Sequence, residues 1–176
     1  IFSEDFSVDQ LDLEHSLENI NEIDSVFVSN NIFKQISDVK SPQGVIAIVK
    51  KHLIPFKNIL QRSSYFMVVL DRVQDPGNVG SIIRTVDAAG GDAVVLLKGS
   101  ADPYNPKTLR STMGSIFRVP VLEIDEFESF MNNLISAGTH LIASCLNGEN
   151  LFNWNGNYSK IALIIGNESK GISNEI

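Results

Sequence analysis

The sequence predicts an α/β protein built on a mostly parallel sheet with helices on both faces. Apolar runs of strand length recur after residue 64, and stretches with helical spacing separate most of them. These runs are apolar throughout, as in strands buried on both faces of a parallel sheet. The composition, with 43% hydrophobic and 20% charged residues, is that of an ordinary globular protein.

The individual elements follow from spacing and from end signals. Apolar residues at Val79, Ile83 and Val86 have helical spacing, and Gly90 can end that helix in a left-handed conformation. Asn105 can cap a short helix that begins at Pro106. Asp125 and Glu128, three residues apart, predict a capping box. In order, we predict strand 65–70, helix 78–89, strand 93–97, a short helix from 105, strand 119–122, helix 125–137, and strands 141–146 and 161–165.

In the first 54 residues the pattern of apolar and polar side chains is irregular, and acidic side chains are frequent. Two short apolar runs, 26–28 and 45–49, predict buried strands, and a Pro-Gln-Gly turn at 42–44 precedes the second. We expect a partial domain over 1–54, a linker over 55–64 and a second domain over 65–176. The chain starts with Ile1 rather than Met, so we expect a missing N-terminal part.

Composition restricts the class of protein. The net charge of −7 argues mildly against a nucleic-acid partner, but residues 62–118 carry seven bases and five acids. That segment hints at an anionic ligand, and chance clustering on a solvated surface explains it equally well. The one cysteine, Cys145, cannot form an internal disulfide, which favours a reducing, cytoplasmic compartment. No apolar run is long enough for a membrane helix, and no leader is evident.

Several familiar signatures are missing from the sequence. It has no G-x-G-x-x-G, no P-loop motif and no G-x-S-x-G elbow. Its three histidines are scattered, so they define no metal site with the single cysteine. Dinucleotide-binding dehydrogenases, P-loop enzymes, serine hydrolases and zinc enzymes are therefore disfavoured.

Ligands of open parallel sheets bind beyond the carboxyl ends of the strands. The corresponding segments, 71–80, 98–105, 146–150 and 166–171, are rich in glycine and polar residues. Asn78 and Gly80 lie where a strand turns into a helix, whose free N–H groups favour an anion such as an RNA phosphate. On spacing alone, Asn78 is better interpreted as a helix cap and Arg84 as a solvated helix arginine, and Gly80 can simply be a packing glycine.

Other residues have equally open interpretations. Gly166 either lets the backbone approach a flat ligand or serves a plain turn. Cys145 is expected in the core. The aromatic side chains Phe152, Trp154 and Tyr158 either stack on a base or pack together.

Two segments carry a family resemblance. Residues 71–85 contain N-x-G-x-x-x-R, matched by Asn78, Gly80 and Arg84, after the lead-in Asp-Pro-Gly-Asn. Residues 164–172 contain G-x-E-x-x-G, matched by Gly166, Glu168 and Gly171. In this order, and each after a buried strand, they resemble the first two motifs of the SpoU (TrmH-type) RNA 2′-O-ribose methyltransferases. The resemblance runs from about residue 65 to the end, and the earlier part is similar to the second half of the family's small L30e-like domain.

The resemblance implies a SPOUT-type knotted fold, a homodimer, S-adenosylmethionine as cofactor and methylation of a ribose 2′-hydroxyl without a metal or membrane. It favours ribosomal over transfer RNA as the partner, and guanosine as the nucleotide. Arg84, Asn78 and Glu168 would be catalytic: Arg84 by electrostatics, because a guanidinium stays protonated, and Glu168 by orienting its loop or Arg84. The cofactor would contact Gly166, Ser144, Leu146, Asn147, Gly148 and Gly171. The RNA would contact Asn78, Gly80, Arg84 and Arg110.

The family's third motif, rich in Ser, Leu and Asn, does not occur before the sequence ends at Ile176. Because that motif supplies part of the cofactor pocket, the knot and the dimer face, we expect an incomplete knot in this chain. Two rival functions stay open. One is a catalytically silent RNA-binding member of the fold, and the other is an unknotted nucleotide-binding enzyme with a chance motif match.

Overall fold

The computed structural model describes residues 1–6, 24–51 and 54–176, except for the side chain of Leu151. It divides the chain into two compact units, Ile1–Lys51 and His52–Ile176. None of the described helices is long and apolar enough to cross a membrane.

The first unit is small. Strand β1 (Phe2–Ser3) pairs in parallel with β2 (Phe27–Val28), and helix α1 (Asn30–Ile36) follows directly. The ring of Phe2 stacks on Phe6 and Phe27, with centroids 5.2 and 5.3 Å away. The prediction of an L30e-like domain here stays a prediction.

The two buried strands predicted in this unit are largely wrong. Val26 and Phe27 are about half exposed. The run 45–49 forms an isolated bridge from Val45 to Phe2, and Ile46 exchanges backbone hydrogen bonds with Ile1. Residues 47–49 belong to none of the described strands, and Ile48 is 85% exposed. An apolar run forms a strand only where a neighbouring strand pairs with it. Composition does not show whether such a neighbour is present.

The second unit is built on a parallel sheet, as predicted. Its strands are β3 (Tyr65–Leu70), β4 (Ala93–Leu97), β5 (Val121–Ile124), β6 (His140–Ala143) and β7 (Lys160–Ile165). They lie in the order β5-β4-β3-β7-β6, and every pair is parallel. The last strand of this unit, β7, therefore lies beside its first strand, β3. The knot stays a prediction.

Helices cover both faces of this sheet. Four α-helices occur in the described part of the second unit: α2 (Phe56–Leu60), α3 (Pro76–Ala88), α4 (Pro106–Thr112) and α5 (Phe127–Ser136). Two apolar clusters lie on opposite faces, one with Ile59 and Leu134 from α2 and α5, the other with Val79 and Ile83 from α3. Alternate residues of β3 and β4 contribute to each cluster, which explains why these strands are apolar throughout.

Three predicted details of the second unit need correction. The linker 55–64 contains helix α2, because Ile59 is fully buried in the core. The capping box at 125–128 does not form: α5 begins after Glu126, without a side-chain cap. Strand β5 starts at Val121 rather than at residue 119, because Val119 bonds back to Ser115 in the preceding 3-10 turn.

Strand β6 is shorter than predicted, and this moves Cys145 out of the core. The strand ends at Ala143, which pairs with Ile164, one residue before β7 ends at Ile165. Cys145 is exposed in the following loop. The prediction of a core cysteine is therefore wrong.

Helices α3 and α4 meet at Gly80. A Cβ atom on Gly80 would clash with the Ser111 side chain and lie 2.6 Å from the carbonyl oxygen of Thr108. Ion pairs lie at both ends of the contact, Lys107 with Asp75 at 3.1 Å and Arg118 with Asp87 at 2.5 Å. Gly80 is thus a packing glycine, and the RNA contact proposed for it stays a prediction.

We expect Gly80→Ala to lower the free energy of unfolding by about 2–3 kcal/mol, because the added methyl group has backbone on one side and cannot be accommodated. Ser81→Ala, on the exposed face of the same helix, is the matched control and should change it by less than about 0.5 kcal/mol. Urea unfolding of both variants measures the difference. Equal stabilities would show that the helices can separate at no cost.

Candidate active site

The two motif segments follow neighbouring strands. Leu70 at the end of β3 is in register with Ile165 at the end of β7, so both following loops leave the same edge of the sheet. There Asn78 Nδ2 donates a hydrogen bond to Glu168 Oε1 over 2.7 Å. The structure therefore brings the predicted Asn78 and Glu168, ninety residues apart in sequence, into direct contact at this edge of the sheet.

The Asn78 side chain can bond to Glu168 because another residue caps helix α3. Helix α3 has Asp75 as its cap, and Asp75 Oδ1 accepts from the backbone N–H of Asn78 at 3.0 Å. Pro76 at the first helical position fits the same signal. The interpretation of Asn78 as the cap is therefore wrong, and its amide side chain is free for Glu168.

The same cap corrects the expectation of a free anion site at this helix end. The Lys107 ammonium and the Asn78 N–H lower the pKa of Asp75 below its ordinary value, so the carboxylate is ionised. A negative charge of the chain itself thus already satisfies the positive end of α3. An RNA phosphate would need other donors.

The second motif forms a tight hairpin after β7. Asn167 and Gly171 exchange backbone hydrogen bonds of 3.1 and 2.9 Å, and Asn167 Oδ1 accepts from the N–H groups of Ser169 and Lys170. A Cβ on Gly166 would overlap the backbone of Gly171 and lie 2.5 Å from its carbonyl oxygen. Gly166 is therefore required for closing the hairpin, and its predicted cofactor contact stays a prediction. Gly171 has φ +67°, as the turn requires.

A buried carboxylate that the motifs do not include ties the two loops together. Asp71, 3% exposed, accepts from Arg72 Nε at 2.9 Å and from the backbone N–H of Ser173 at 2.6 Å. Burial would raise the pKa of Asp71, but these donors outweigh it and hold the pKa below its ordinary value of 3.8. Sequence reasoning missed this residue, although a carboxylate directly after a buried strand is a usable signal.

Asp71 therefore makes stability depend on pH. Because its folded pKa is lowered, its contribution is complete above the unfolded pKa near 3.8 and is lost as pH falls through the folded value. We expect Asp71→Asn to cost about 2 kcal/mol at neutral pH, since it removes a charged partner of buried hydrogen bonds. The difference from wild type should shrink below about pH 4. Denaturant titrations at pH 7 and pH 3 test this, and a difference that stays constant would contradict it.

The predicted basic residues lie on exposed surfaces. Arg84 lies on α3 about 9 Å along the helix axis from Asn78, and Arg110 lies on α4. Both are exposed, and within the described part of the chain neither guanidinium makes a hydrogen bond or ion pair. Glu168 accordingly bonds to Asn78 rather than to Arg84, which favours its predicted loop-orienting role.

A cavity of about 440 Å³ opens along β6 and the loop that follows it. Of the six residues predicted to hold the cofactor, Ser144 and Gly148 line it. Leu146, Asn147, Gly166 and Gly171 do not, and Leu146 is fully exposed. The Ser144 N–H donates to the carbonyl of Ile164, so this loop lies directly beside the second motif. Leu141, Ile142 and Leu163 form apolar walls, and Glu149, Asn150, His140 and Trp154 complete the lining.

Two of the aromatic residues noted in the sequence pack around His140. The Tyr158 ring stacks on His140 with centroids 3.6 Å apart, and Trp154 lies about 6 Å from both. Phe152 is 96% exposed and takes no part. Packing is thus the role the structure shows for Trp154 and Tyr158.

Comparison with known proteins shows the family to which the chain belongs. Residues 65–176 match the model of the SpoU rRNA Methylase family, which covers the sheet and both motif loops. The chain belongs to the SpoU rRNA methylase family.

Its relatives are described as ribosomal RNA methyltransferases. The chain is 36% identical over 150 residues to a 23S rRNA (guanosine-2′-O)-methyltransferase, RlmP, of Bacillus subtilis, covering 85% of this chain and 58% of that protein. It is 33% identical over 141 residues to a 23S rRNA (uridine-2′-O)-methyltransferase of Streptomyces viridochromogenes, covering 77% of this chain and 49% of that protein. The chain thus spans about half the length of these two relatives.

Solved structures of methyltransferases have a similar fold. The SpoU methyltransferase AviRb of Streptomyces viridochromogenes in complex with AdoMet superposes with a TM-score of 0.80 at 26% identity, covering 99% of this chain and 67% of that one. An AdoMet-bound rRNA methyltransferase of Sinorhizobium meliloti gives 0.77 at 32% identity, covering 86% of this chain and 59% of that one.

Proposed function

We propose that the protein transfers the methyl group of S-adenosylmethionine to a ribose 2′-hydroxyl of ribosomal RNA. The observation that carries this proposal is the hydrogen bond between Asn78 and Glu168, which brings the two family motifs into contact. The cavity along the neighbouring strand β6 supplies room for a cofactor. Ser144 in its lining bonds to Ile164, two residues before Gly166 of the second motif.

The cavity fits the cofactor's chemistry. A volume of about 440 Å³ is in the range of small-molecule sites. Its apolar walls and Trp154 suit an adenine ring, while Glu149 and Asn150 offer acceptors for ribose hydroxyls and a negative charge for a cationic ligand. Bound there, S-adenosylmethionine would supply an electrophilic methyl group. We propose Ser144 and Gly148 as contacts on its polar side.

The chain's own residues then have to position the ribose and stabilise charge. Arg84 is the residue we propose for this role, because it lies on the motif helix with an exposed guanidinium that has no partner among the described residues. A guanidinium holds a phosphate with a planar fork and stabilises negative charge developing on the 2′ oxygen. Glu168 keeps the second motif in place through Asn78, and Arg110 on α4 is a second phosphate contact.

We propose guanosine in ribosomal RNA as the methylated nucleotide. Support comes from the Bacillus subtilis relative, named for guanosine, which matches with higher identity and coverage than the Streptomyces relative named for uridine. A cytoplasmic location and a homodimer complete the proposal, and sedimentation of the full-length protein tests the second.

The test uses full-length protein and ribosomal RNA from a strain that lacks its gene. We expect calorimetry to detect S-adenosylmethionine binding, and mass mapping to find one new 2′-O-methylguanosine after incubation. A methylated uridine would overturn the nucleotide, and methylation of transfer RNA alone would overturn the RNA class. No cofactor binding would favour a silent RNA-binding protein, and binding of NAD or ATP instead would favour the nucleotide-binding rival.

A further inference from the structure

Arg72 holds an unusual position at the end of β3, outside both family motifs. Its backbone has φ +57°, the left-handed region that residues other than glycine rarely adopt. Such conformations persist where surrounding contacts fix them. The contacts of Arg72 therefore indicate what the conformation achieves.

The Arg72 side chain joins two loops. Its guanidinium forms a two-pronged contact with Asp71, Nε to Oδ1 at 2.9 Å and a terminal nitrogen to Oδ2 at 3.0 Å. The same terminal nitrogen donates to the carbonyl oxygen of Gly171 at 3.3 Å, in the hairpin of the second motif. The two carboxylate bonds fix the plane of the guanidinium, so the third bond has a defined direction.

The Arg72 backbone completes the connection. Its carbonyl oxygen accepts from Asn167 Nδ2 at 2.9 Å, so the hairpin is held at both of its ends, Asn167 and Gly171. The aliphatic part of the side chain also lies against Gly99 after β4, where an added Cβ would come within 3.1 Å of Arg72 Cγ. One residue thus contacts the loops that follow three adjacent strands, β4, β3 and β7.

We propose that Arg72 is a positioning residue that fixes the Asn167–Gly171 hairpin and, through it, the orientation of Glu168 toward Asn78. This inference rests on the proposed function. Arg72 does not itself touch the reacting groups. Its left-handed backbone directs the carbonyl to Asn167 and the side chain to Gly171 at the same time, which a glycine at this position could do only for the carbonyl.

Arg72→Gly separates the two roles of the residue. Glycine adopts the left-handed backbone without strain, so this variant keeps the turn and removes the guanidinium. In full-length protein we expect a lower urea midpoint, because the buried Asp71 carboxylate loses its guanidinium partner. In the protein that stays folded we expect a tenfold or larger rise of the KM for S-adenosylmethionine or a matching fall in kcat. Arg72→Lys keeps a cation beside Asp71 and should recover part of that loss.

A matched control is Arg62→Ala, which breaks another arginine–aspartate pair, with Asp92, at the amino-terminal edge of the sheet. It should leave kcat and KM unchanged. The inference is overturned if Arg72→Gly retains wild-type kcat and KM, or if its activity falls only in proportion to a loss of folded protein.

Hydrogen exchange tests, independently of activity, whether Arg72 acts as a clamp on the Asn167–Gly171 hairpin. In Arg72→Gly, the amides of Asn167 and Gly171 should exchange at least tenfold faster than in wild type, while the amides of β3 stay protected. Unchanged exchange would contradict the inference even in an active enzyme. If exchange is faster in the variant but the wild-type protein neither binds the cofactor nor methylates RNA, the clamp is retained and the proposed function is rejected.

Discussion

Arg84→Ala is expected to lower kcat/KM for RNA methylation by about 10²–10³-fold, the usual cost of removing one preorganised donor that stabilises developing charge. The stability of the protein should stay the same, because Arg84 is exposed and its guanidinium makes no hydrogen bond or ion pair with another described residue. Single-turnover methyl transfer with saturating cofactor measures the effect.

Two further variants identify the cause of the loss at Arg84. Arg84→Lys keeps the charge and loses the fork, so it should recover less than about a tenth of wild-type turnover. Lys57→Ala removes an exposed positive charge from α2, which leads into the amino-terminal end of β3, and should be nearly neutral. Near-normal turnover of the lysine variant would show that charge alone suffices and that the forked contact is wrong.

Gly166→Ala is expected to abolish cofactor binding and to lower the free energy of unfolding by about 3 kcal/mol. The new methyl group would meet the backbone of Gly171 and Ile172, and backbone atoms cannot move aside as a flexible side chain can. The hairpin would have to open, which separates Glu168 from Asn78. Calorimetry with S-adenosylmethionine and urea unfolding measure the two effects.

Gly138→Ala is the matched control for Gly166. Gly138 has φ +71°, but no described atom lies within 4 Å of the position that its new methyl group would take. Its cost is therefore limited to backbone strain of about 1 kcal/mol, and cofactor binding should be unaffected. If Gly166→Ala behaves like Gly138→Ala, the hairpin is not closed as tightly as the structure shows.

The central part of the fold could be predicted because each local signal agrees with its tertiary environment. Strands β3 and β4 are apolar throughout since helices cover both faces of the sheet, and their bounds match the prediction. Helix α4 begins where Asn105 and Pro106 indicate, with the Asn105 side chain accepting from the N–H of Lys107. Such agreement between levels is what makes a sequence pattern dependable.

The placement of the two motif loops after buried strands was predicted, and the contacts between these loops were missed. Motif spacing placed Asn78 and Glu168 at the same sheet edge, but their hydrogen bond depends on Asp75 taking over the helix cap. No local sequence pattern indicated the role of Arg72, because a residue with a left-handed backbone conformation is expected to be glycine or asparagine. Interactions between residues this distant in sequence are set by tertiary packing, which local patterns do not record.

The edges of the fold were harder to predict for the same reason. In the apolar run 45–49, Val45 forms a bridge to Phe2 and Ile46 bonds to Ile1, and residues 47–49 belong to none of the described strands. Strand β6, at the edge of the sheet, ends at Ala143, so Cys145 lies exposed in the following loop. A strand's length is a property of a pair, so single-strand patterns overestimate it.

The proposed function depends on the two motifs acting together, and a double-mutant cycle on Asn78 and Glu168 measures whether they do. In full-length protein, Asn78→Ala, Glu168→Ala and the double variant are compared by kcat/KM for RNA methylation, with urea unfolding as the check on folding. We predict that the second substitution costs little once the first is made, with a coupling energy of at least about 1 kcal/mol. Strictly additive losses would mean that the two motifs act separately, and would contradict the proposal that Asn78 and Glu168 act as one unit.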